Sequence, residues 1–199
     1  AQARRKAGPP LKVLTLETDL CFIRKADLVA ANPRFEKTHE KDEVYCVTTI
    51  EKSSSLVQLS FSDTKEANIV TPIVLEHIKY FAKRFGKSTK EFDLESDKGG
   101  EFRHADIAKI VRKVKHVNTG VSVEKANQTF QQNFYRILRN RQSTSVRGAI
   151  KKAQKIMNNS FSSIHKKSPN DVVDQKEDTL KTYNKTRKSY ISGSNRGEL

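Results

Sequence analysis

The sequence has no tryptophan, one methionine and two cysteines among its 199 residues. Cys21 and Cys46 form neither a disulfide framework nor a paired zinc-ligand spacing, so we expect two idle or buried thiols in a reducing compartment. No run approaches the ~18 consecutive apolar residues that a membrane-spanning helix needs. The first ten residues, AQARRKAGPP, also lack the apolar segment of a secretory signal. The sequence therefore argues against membrane insertion and secretion.

Acidic residues are scarce in one part of the chain. Thirty-eight Lys and Arg stand against 23 Asp and Glu, a formal net charge of +15. Residues 103–170 hold 15 of the basic residues and only two acids, Asp106 and Glu124. A solvated helix face explains scattered lysines, but it does not explain the missing carboxylates that normally balance them. We therefore expect this segment to contact a polyanion such as nucleic acid, with a membrane surface or an acidic partner as the open alternatives.

Hydrophobic periodicity divides the chain into a strand-rich first part and a helix-rich second part. Alternating or β-branched stretches predict strands within residues 11–29 and at 44–50, 56–61 and 91–96, the middle two as an antiparallel hairpin. Helical spacing predicts helices from residue 63 to Gly86, around 107–114, and over 121–138 and 146–157. This order predicts an α/β layered domain over residues 12–173.

The two ends of the chain are predicted to lie outside that domain. Residues 1–11 are predicted to be a flexible basic lead-in, because Gly8, Pro9 and Pro10 break regular structure. Apolar periodicity fades beyond Pro169, and residues 174–199 are predicted to be a polar tail or linker.

Glu124 needs a partner, because nearly every other acid is missing from the basic segment. Mg²⁺ or Mn²⁺ would supply one, since these ions prefer carboxylate oxygens. Two such ions can assist a displacement at phosphorus when two or three acids converge. The other candidate metal ligands are Asp97, at the end of a predicted strand, and Asp27, on an earlier predicted strand. The residues alone leave open that each acid only caps a turn or a helix.

Four stretches resemble motifs of retroviral-type integrases. SDKGGEF at 96–102 is similar to the segment around that family's second catalytic Asp, and VEKANQTFQ at 123–131 is similar to the stretch with its catalytic Glu. KADLVAA at 25–31, followed by VYCVTTIEKSSS, resembles the strand of the first Asp and its hairpin partner. NNSFSSIHKKSPNDVV at 158–173 resembles the family's Asn, His, Ser-Pro ending. The stretches follow the family's order and look most like integrases of Maverick (Polinton) elements and retrotransposons.

The resemblance implies an RNase H-like core, which is an α/β fold with a mixed central sheet flanked by helices. It implies that Asp27, Asp97 and Glu124 bind two Mg²⁺ (or Mn²⁺) ions and that the protein trims DNA 3′ ends and joins them to a target duplex. The implied partners are DNA, as element ends and target duplex, and further copies of the chain in a homo-oligomer. No membrane partner is expected, and the implied location is nuclear. The residues expected to contact DNA are Lys125, Gln128, Gln131, Arg136, Arg139, Lys151, Lys152 and Lys155.

The sequence departs from the family pattern at several points. The 27-residue interval from Asp97 to Glu124 is shorter than the family's usual one, so we expect the loop before the Glu helix to be trimmed. Glu51 stands where the family more often has Asp, and no zinc-ligand pattern precedes Asp27. Asp19 is an alternative to Asp27 as the counterpart of the family's first catalytic Asp, and the distance to VYCVTTI favours Asp27. A catalytically degenerate, integrase-derived DNA-binding module is therefore the alternative, and a basic protein-interaction domain is the third.

Overall fold

The computed structural model describes residues 11–38, 41–102, 104–117, 120–176 and 178–194, without the side chains of 37, 38 and 187–194. The predicted lead-in lies outside these residues apart from Leu11. The elements of the described chain are β1 (Leu14–Arg24), α1 (Lys25–Ala31), α2 (Phe35–Thr38), β2 (Glu43–Glu51), β3 (Val57–Ser62), α3 (Ala67–Phe85), a 3-10 turn (Thr89–Glu91), β4 (Phe92–Ser96), α4 (His104–Ala108), β5 (Lys113–His116), α5 (Val121–Arg139), α6 (Val146–Asn159), α7 (Pro169–Asp174) and α8 (Thr179–Ser194). None of the helices described is long and apolar enough to cross a bilayer.

The strands form one mixed sheet of five, in the order β3-β2-β1-β4-β5. β1, β2 and β3 pair antiparallel, and the predicted hairpin of β2 and β3 is confirmed. β4 lies parallel to β1, and β5 lies parallel to β4. Because β1 and β4 run in the same direction, the carboxyl end of β4 lies beside the middle of β1, where residues 18 and 19 follow the last paired position, Glu17.

Helices cover both faces of the sheet, as the predicted α/β fold requires. On one face, α5 and α6 pack Phe130, Phe134 and Ile150 against β1 and β2 side chains that include Ile23. On the other face, α3 and α4 pack against a second cluster that includes Leu16 and Phe92. Successive β1 side chains therefore alternate between two buried layers, which is why this strand is apolar or buried at almost every position.

Three segments differ from the sequence predictions. The stretch around Asp27 is the helix α1, not a strand, because β1 starts earlier and ends at Arg24. The predicted helix around residues 107–114 ends at Ala108, and Lys113–His116 instead pairs with β4, a period-two pattern whose Val114 packs on the core. The predicted polar tail contains α8, which buries Thr179 and packs Leu180 against the second cluster.

Candidate active site

Asp19 lies in the middle of β1, on the face that α5 covers. Its Oδ1 accepts a hydrogen bond from the Leu20 N–H at 2.8 Å, and its Oδ2 accepts one from Asn127 Nδ2 at 2.9 Å. The second bond joins the strand to α5 across more than 100 residues of sequence. Asp19 is thus fixed between the sheet and a helix.

Asp97 directly follows β4 and starts the turn that leaves the sheet. Its Oδ1 accepts a hydrogen bond from the Gly99 N–H at 2.9 Å, an Asx-type turn contact. The Glu101 carboxylate lies so close to Gly99 that a Cβ there would collide with it. A glycine at this position therefore lets Glu101 fold back toward the turn and the sheet edge.

Glu124 lies in the first turn of α5. Val123, Ala126 and Phe130 are buried at the spacing of one helix face, which pins the start of α5 to the sheet. A carboxylate in the first turn also interacts favourably with the helix dipole. The sequence folds this way because the apolar face of α5 fixes its rotation, and that rotation fixes the direction of Glu124.

Asp19, Asp97 and Glu124 line one cavity of about 90 Å³ at this edge of the sheet. Burial raises the pKa of Asp19 to about 6. The hydrogen bond from Leu20 lowers that pKa, and the negative charges of Asp97, Glu101 and Glu124 raise it further. Asp19 therefore lies within electrostatic reach of the other two carboxylates of the cavity. The other residues that line the cavity are Thr18, Glu95, Ser96, Val117, Gly120 and Val123.

The donor chemistry of the cavity suits a hard divalent cation, because its charged groups are carboxylates. In the ranges that the structure describes, however, no three His, Cys, Asp or Glu side chains are arranged so that they could hold a metal ion. Both carboxylate oxygens of Asp19 are engaged in hydrogen bonds within the protein. The acids thus share a cavity without converging on one point.

No family model matches the sequence, and no curated protein matches it significantly. The fold does match solved structures. The HTLV-2 integrase catalytic core domain in complex with magnesium (trimeric form) has a TM-score of 0.56 and 14% identity, over 80% of this chain and 95% of that one. The BIV integrase catalytic core domain has a TM-score of 0.56 and 17% identity, over 82% and 95%. This chain has the fold of a retroviral integrase catalytic core. The predicted RNase H-like architecture is confirmed.

Within this integrase-core fold, Asp27 lies away from the cavity. It is in the first turn of α1, where it pairs with Arg24 at 3.3 Å, and both side chains are exposed. Its charge also contributes to the pKa of Tyr135, which burial raises to about 12. Tyr135 lies three turns after Glu124 on α5, about 16 Å along the helix. The sequence preference for Asp27 over Asp19 is thus not supported, since Asp19 is the acid that lines the cavity with Asp97 and Glu124.

The residues predicted to contact DNA lie on α5 and α6 of the integrase-core fold. Gln131 is the exception in orientation, because its Nε2 donates to the buried Cys21 Sγ at 3.3 Å and so faces the sheet. Lys152 Nζ donates to the Gln142 carbonyl. The predicted residues that are exposed to solvent are Lys125, Gln128, Arg136, Arg139, Lys151, Lys152 and Lys155.

Sequence reasoning missed a group of ion pairs beside the cavity. Lys52 Nζ lies 2.6 Å from Glu17 Oε1 and 2.8 Å from Glu95 Oε2. Burial lowers the pKa of Lys52, but the hydrogen bonds to the two carboxylates outweigh it and the pKa is raised. The spacing Glu17-x-Asp19 was the available signal on β1, because side chains two apart on a strand share a face. Glu95 likewise stands two residues before Asp97, which follows β4.

Proposed function

We propose that this chain is a divalent-metal-dependent polynucleotidyl transferase of the integrase type, which trims DNA 3′ ends and joins them to a target duplex. One observation carries the proposal: Asp19, Asp97 and Glu124, which come from β1, the end of β4 and α5, line a single cavity of an integrase-core fold. Carboxylates from separate segments offer the oxygen ligands that metal ions use in a phosphoryl displacement.

In this proposal the three acids hold Mg²⁺ or Mn²⁺, and Asp19 takes the metal-ligand role that the sequence analysis assigned to Asp27. Two bound ions supply activation of the attacking oxygen and stabilisation of the leaving oxygen at phosphorus. Asn127 keeps one oxygen of Asp19 oriented, and the turn at Gly99 does the same for Asp97. Binding requires the side chains to turn toward a common point. The HTLV-2 core, whose fold is similar, was solved in complex with magnesium, which supports the choice of ion.

The basic segment is the proposed DNA-contacting surface. Lys125 stands next to Glu124 on α5, and three exposed lysines lie along α6. Phosphate contacts by such residues release counterions and make binding sensitive to salt. Homo-oligomerisation and a nuclear location belong to the same proposal; the trimeric form named for the HTLV-2 core supports the first.

The test is nicking and joining of labelled oligonucleotide ends in Mg²⁺ or Mn²⁺. We expect Asp19→Asn and Asp97→Asn to abolish both reactions, while Asp27→Asn, a matched acid outside the cavity, keeps them. Circular dichroism checks that each variant is folded. Activity that survives in folded Asp97→Asn, or that is lost in Asp27→Asn but kept in Asp19→Asn, would refute the assigned site.

The second candidate is a catalytically degenerate, integrase-derived DNA-binding module. The two hydrogen bonds that occupy both Asp19 oxygens favour it, together with the short 27-residue interval before Glu124. This candidate predicts salt-sensitive duplex binding that chelation leaves unchanged and no metal-dependent turnover. Fluorescence anisotropy with and without EDTA, beside the nicking assay, separates the two candidates.

A further inference from the structure

The geometry of the candidate site depends on how firmly the start of α5 is held, because Glu124 lies in its first turn. The N–H groups of a helix's first turn have no partner within the helix. α5 follows Gly120, and no side chain caps its N-terminus locally. One of the open N–H groups, that of Val123, instead donates to Glu17 Oε2 on β1 at 2.9 Å. A strand residue thus takes the place of the missing local cap.

Gly120 leaves room for this contact. A Cβ at that position would lie 2.7 Å from Val123 Cγ1 and 3.4 Å from Glu17 Oε2. Serine or aspartate, which often cap helices, would therefore displace Val123 here. The negative charge of Glu17 is also favourable at the positive end of the helix dipole. The glycine and the distant glutamate act together as one cap.

Glu17 is itself held in place. Its Oε1 lies 2.6 Å from Lys52 Nζ, which also contacts Glu95, and the side chains of Glu17, Lys52 and Glu95 are only 4%, 16% and 12% exposed. Glu17 and Glu95 are direct neighbours in the β1 and β4 register. Buried charges are tolerated when they are paired and hydrogen-bonded, and that requirement restricts the positions of all three. The cap therefore has a fixed base in the sheet.

The spacing along the chain connects this base to the candidate ligands. Glu17 lies two residues before Asp19 on β1, so these two side chains share one face of that strand. Glu95 lies near the end of β4, two residues before Asp97, which directly follows the strand. Val123, whose N–H donates to Glu17, directly precedes Glu124 on α5. The two Lys52 ion pairs and the Val123 hydrogen bond together thus connect the three segments that carry the cavity's carboxylates.

We infer that Glu17 is a positioning residue, which holds the start of α5 against β1 and so sets where Glu124 stands relative to Asp19. Glu17 acts through the Val123 N–H rather than on DNA. The consequence for metal binding rests on the proposed function, whereas the fixed start of α5 does not. Partners behind metal ligands commonly change metal affinity by about 10- to 100-fold when they are removed.

The test compares two substitutions at Glu17 with a matched glutamate elsewhere. Glu17→Ala removes both contacts, whereas Glu17→Gln keeps an oxygen that can accept the Val123 N–H. Glu91→Ala is the control, because Glu91 also accepts a backbone N–H, from Ser88 at 2.8 Å, and also pairs with a lysine, Lys87 at 3.2 Å. The measurements on the full chain are hydrogen exchange of the Val123 amide and Mn²⁺ affinity by electron paramagnetic resonance.

We expect Glu17→Ala to speed exchange at Val123 by about 5- to 10-fold, as the loss of a helix cap would, and to weaken Mn²⁺ binding by about 10- to 100-fold. Glu17→Gln should restore most of both, and Glu91→Ala should change neither. Unchanged Val123 exchange in folded Glu17→Ala overturns the inference. Faster exchange with wild-type Mn²⁺ affinity overturns the link to Glu124.

Failure of the proposed function gives a different result. If Asp97→Asn binds Mn²⁺ as the wild type does, the proposed metal site is refuted, while Val123 exchange still decides whether Glu17 fixes α5. If Glu17→Ala does not fold, Gly120→Ala provides the same exchange test, because its Cβ disturbs the contact while the carboxylate remains. Unchanged exchange in that variant also overturns the inference.

Discussion

Lys52 lies between two carboxylates that would repel each other without it, so Lys52→Met should destabilise the protein strongly. The structure encloses Lys52 Nζ between Glu17 at 2.6 Å and Glu95 at 2.8 Å, and the lysine side chain is 16% exposed. Removal of one partner from a buried ion pair costs about 3–5 kcal/mol, because it leaves uncompensated charge behind. Here that charge is mainly the one on Glu17, since Glu95 keeps Lys115 at 3.7 Å. We expect a decrease of this size in the free energy of unfolding.

The assay is urea unfolding followed by circular dichroism at pH 7. Lys41→Met is the matched control, because Lys41 pairs with Asp63 at 3.3 Å but both side chains are more than half exposed. An exposed pair contributes about 0–1 kcal/mol, so this variant should stay near wild type. Lower pH protonates carboxylates and should recover part of the stability of Lys52→Met. Equal, small decreases in the two variants, or no recovery at lower pH, would refute the reasoning.

Three further predictions concern other parts of the fold. Burial lowers the pKa of His77 to about 3, so the unfolded chain takes up a proton that the folded chain excludes. The free energy of unfolding should therefore fall as pH falls from about 6.5 toward 3, and it should fall less steeply in His77→Gln. Urea unfolding at several pH values measures both. Phe130→Ala should cost about 3–5 kcal/mol in the same assay, whereas Phe161→Ala, at a side chain 69% exposed, should cost little. Replacing the three exposed lysines of α6 by glutamine should reduce the slope of log affinity for duplex DNA against log salt by about 0.9 for each phosphate that the protein no longer neutralises; an unchanged slope would exclude α6 from the DNA surface.

Much of the fold could be predicted because its signals are local. β3 alternates apolar and polar residues with period two, and β2 is a run rich in β-branched residues. α5 and α6 carry apolar side chains at helical spacing that are buried in the structure. Asp97 and Glu124 were predicted as site residues in the same way, since one follows a short strand and the other lies at the start of a strongly periodic helix. Each of these features needs only the residues within a few positions of it.

The choice between Asp19 and Asp27 could not be made from local pattern. β1 is buried on both faces, so its 11 residues lack the alternation of apolar and polar residues that would mark where the strand ends. Apolar residues continue after Arg24 into α1, so composition does not mark the end either. Only the pairing of Asp19 with Thr48 and the approach of Asn127 show which acid faces α5. β5 and α8 were missed for a related reason, because each is stabilised by contacts with distant parts of the chain.

Three hydrogen bonds between α5 and β1 follow one regular spacing along both elements. Val123, Asn127 and Gln131 contact Glu17, Asp19 and Cys21, so each step of four residues on the helix matches a step of two on the strand. Four helical residues rise about 6.0 Å and two strand residues about 6.6 Å, so the two repeats stay nearly commensurate over this length. A residue inserted within this stretch of either element would shift every contact beyond it relative to those before it. An insertion or deletion here therefore disturbs the register between helix and strand, whereas a substitution disturbs a single contact.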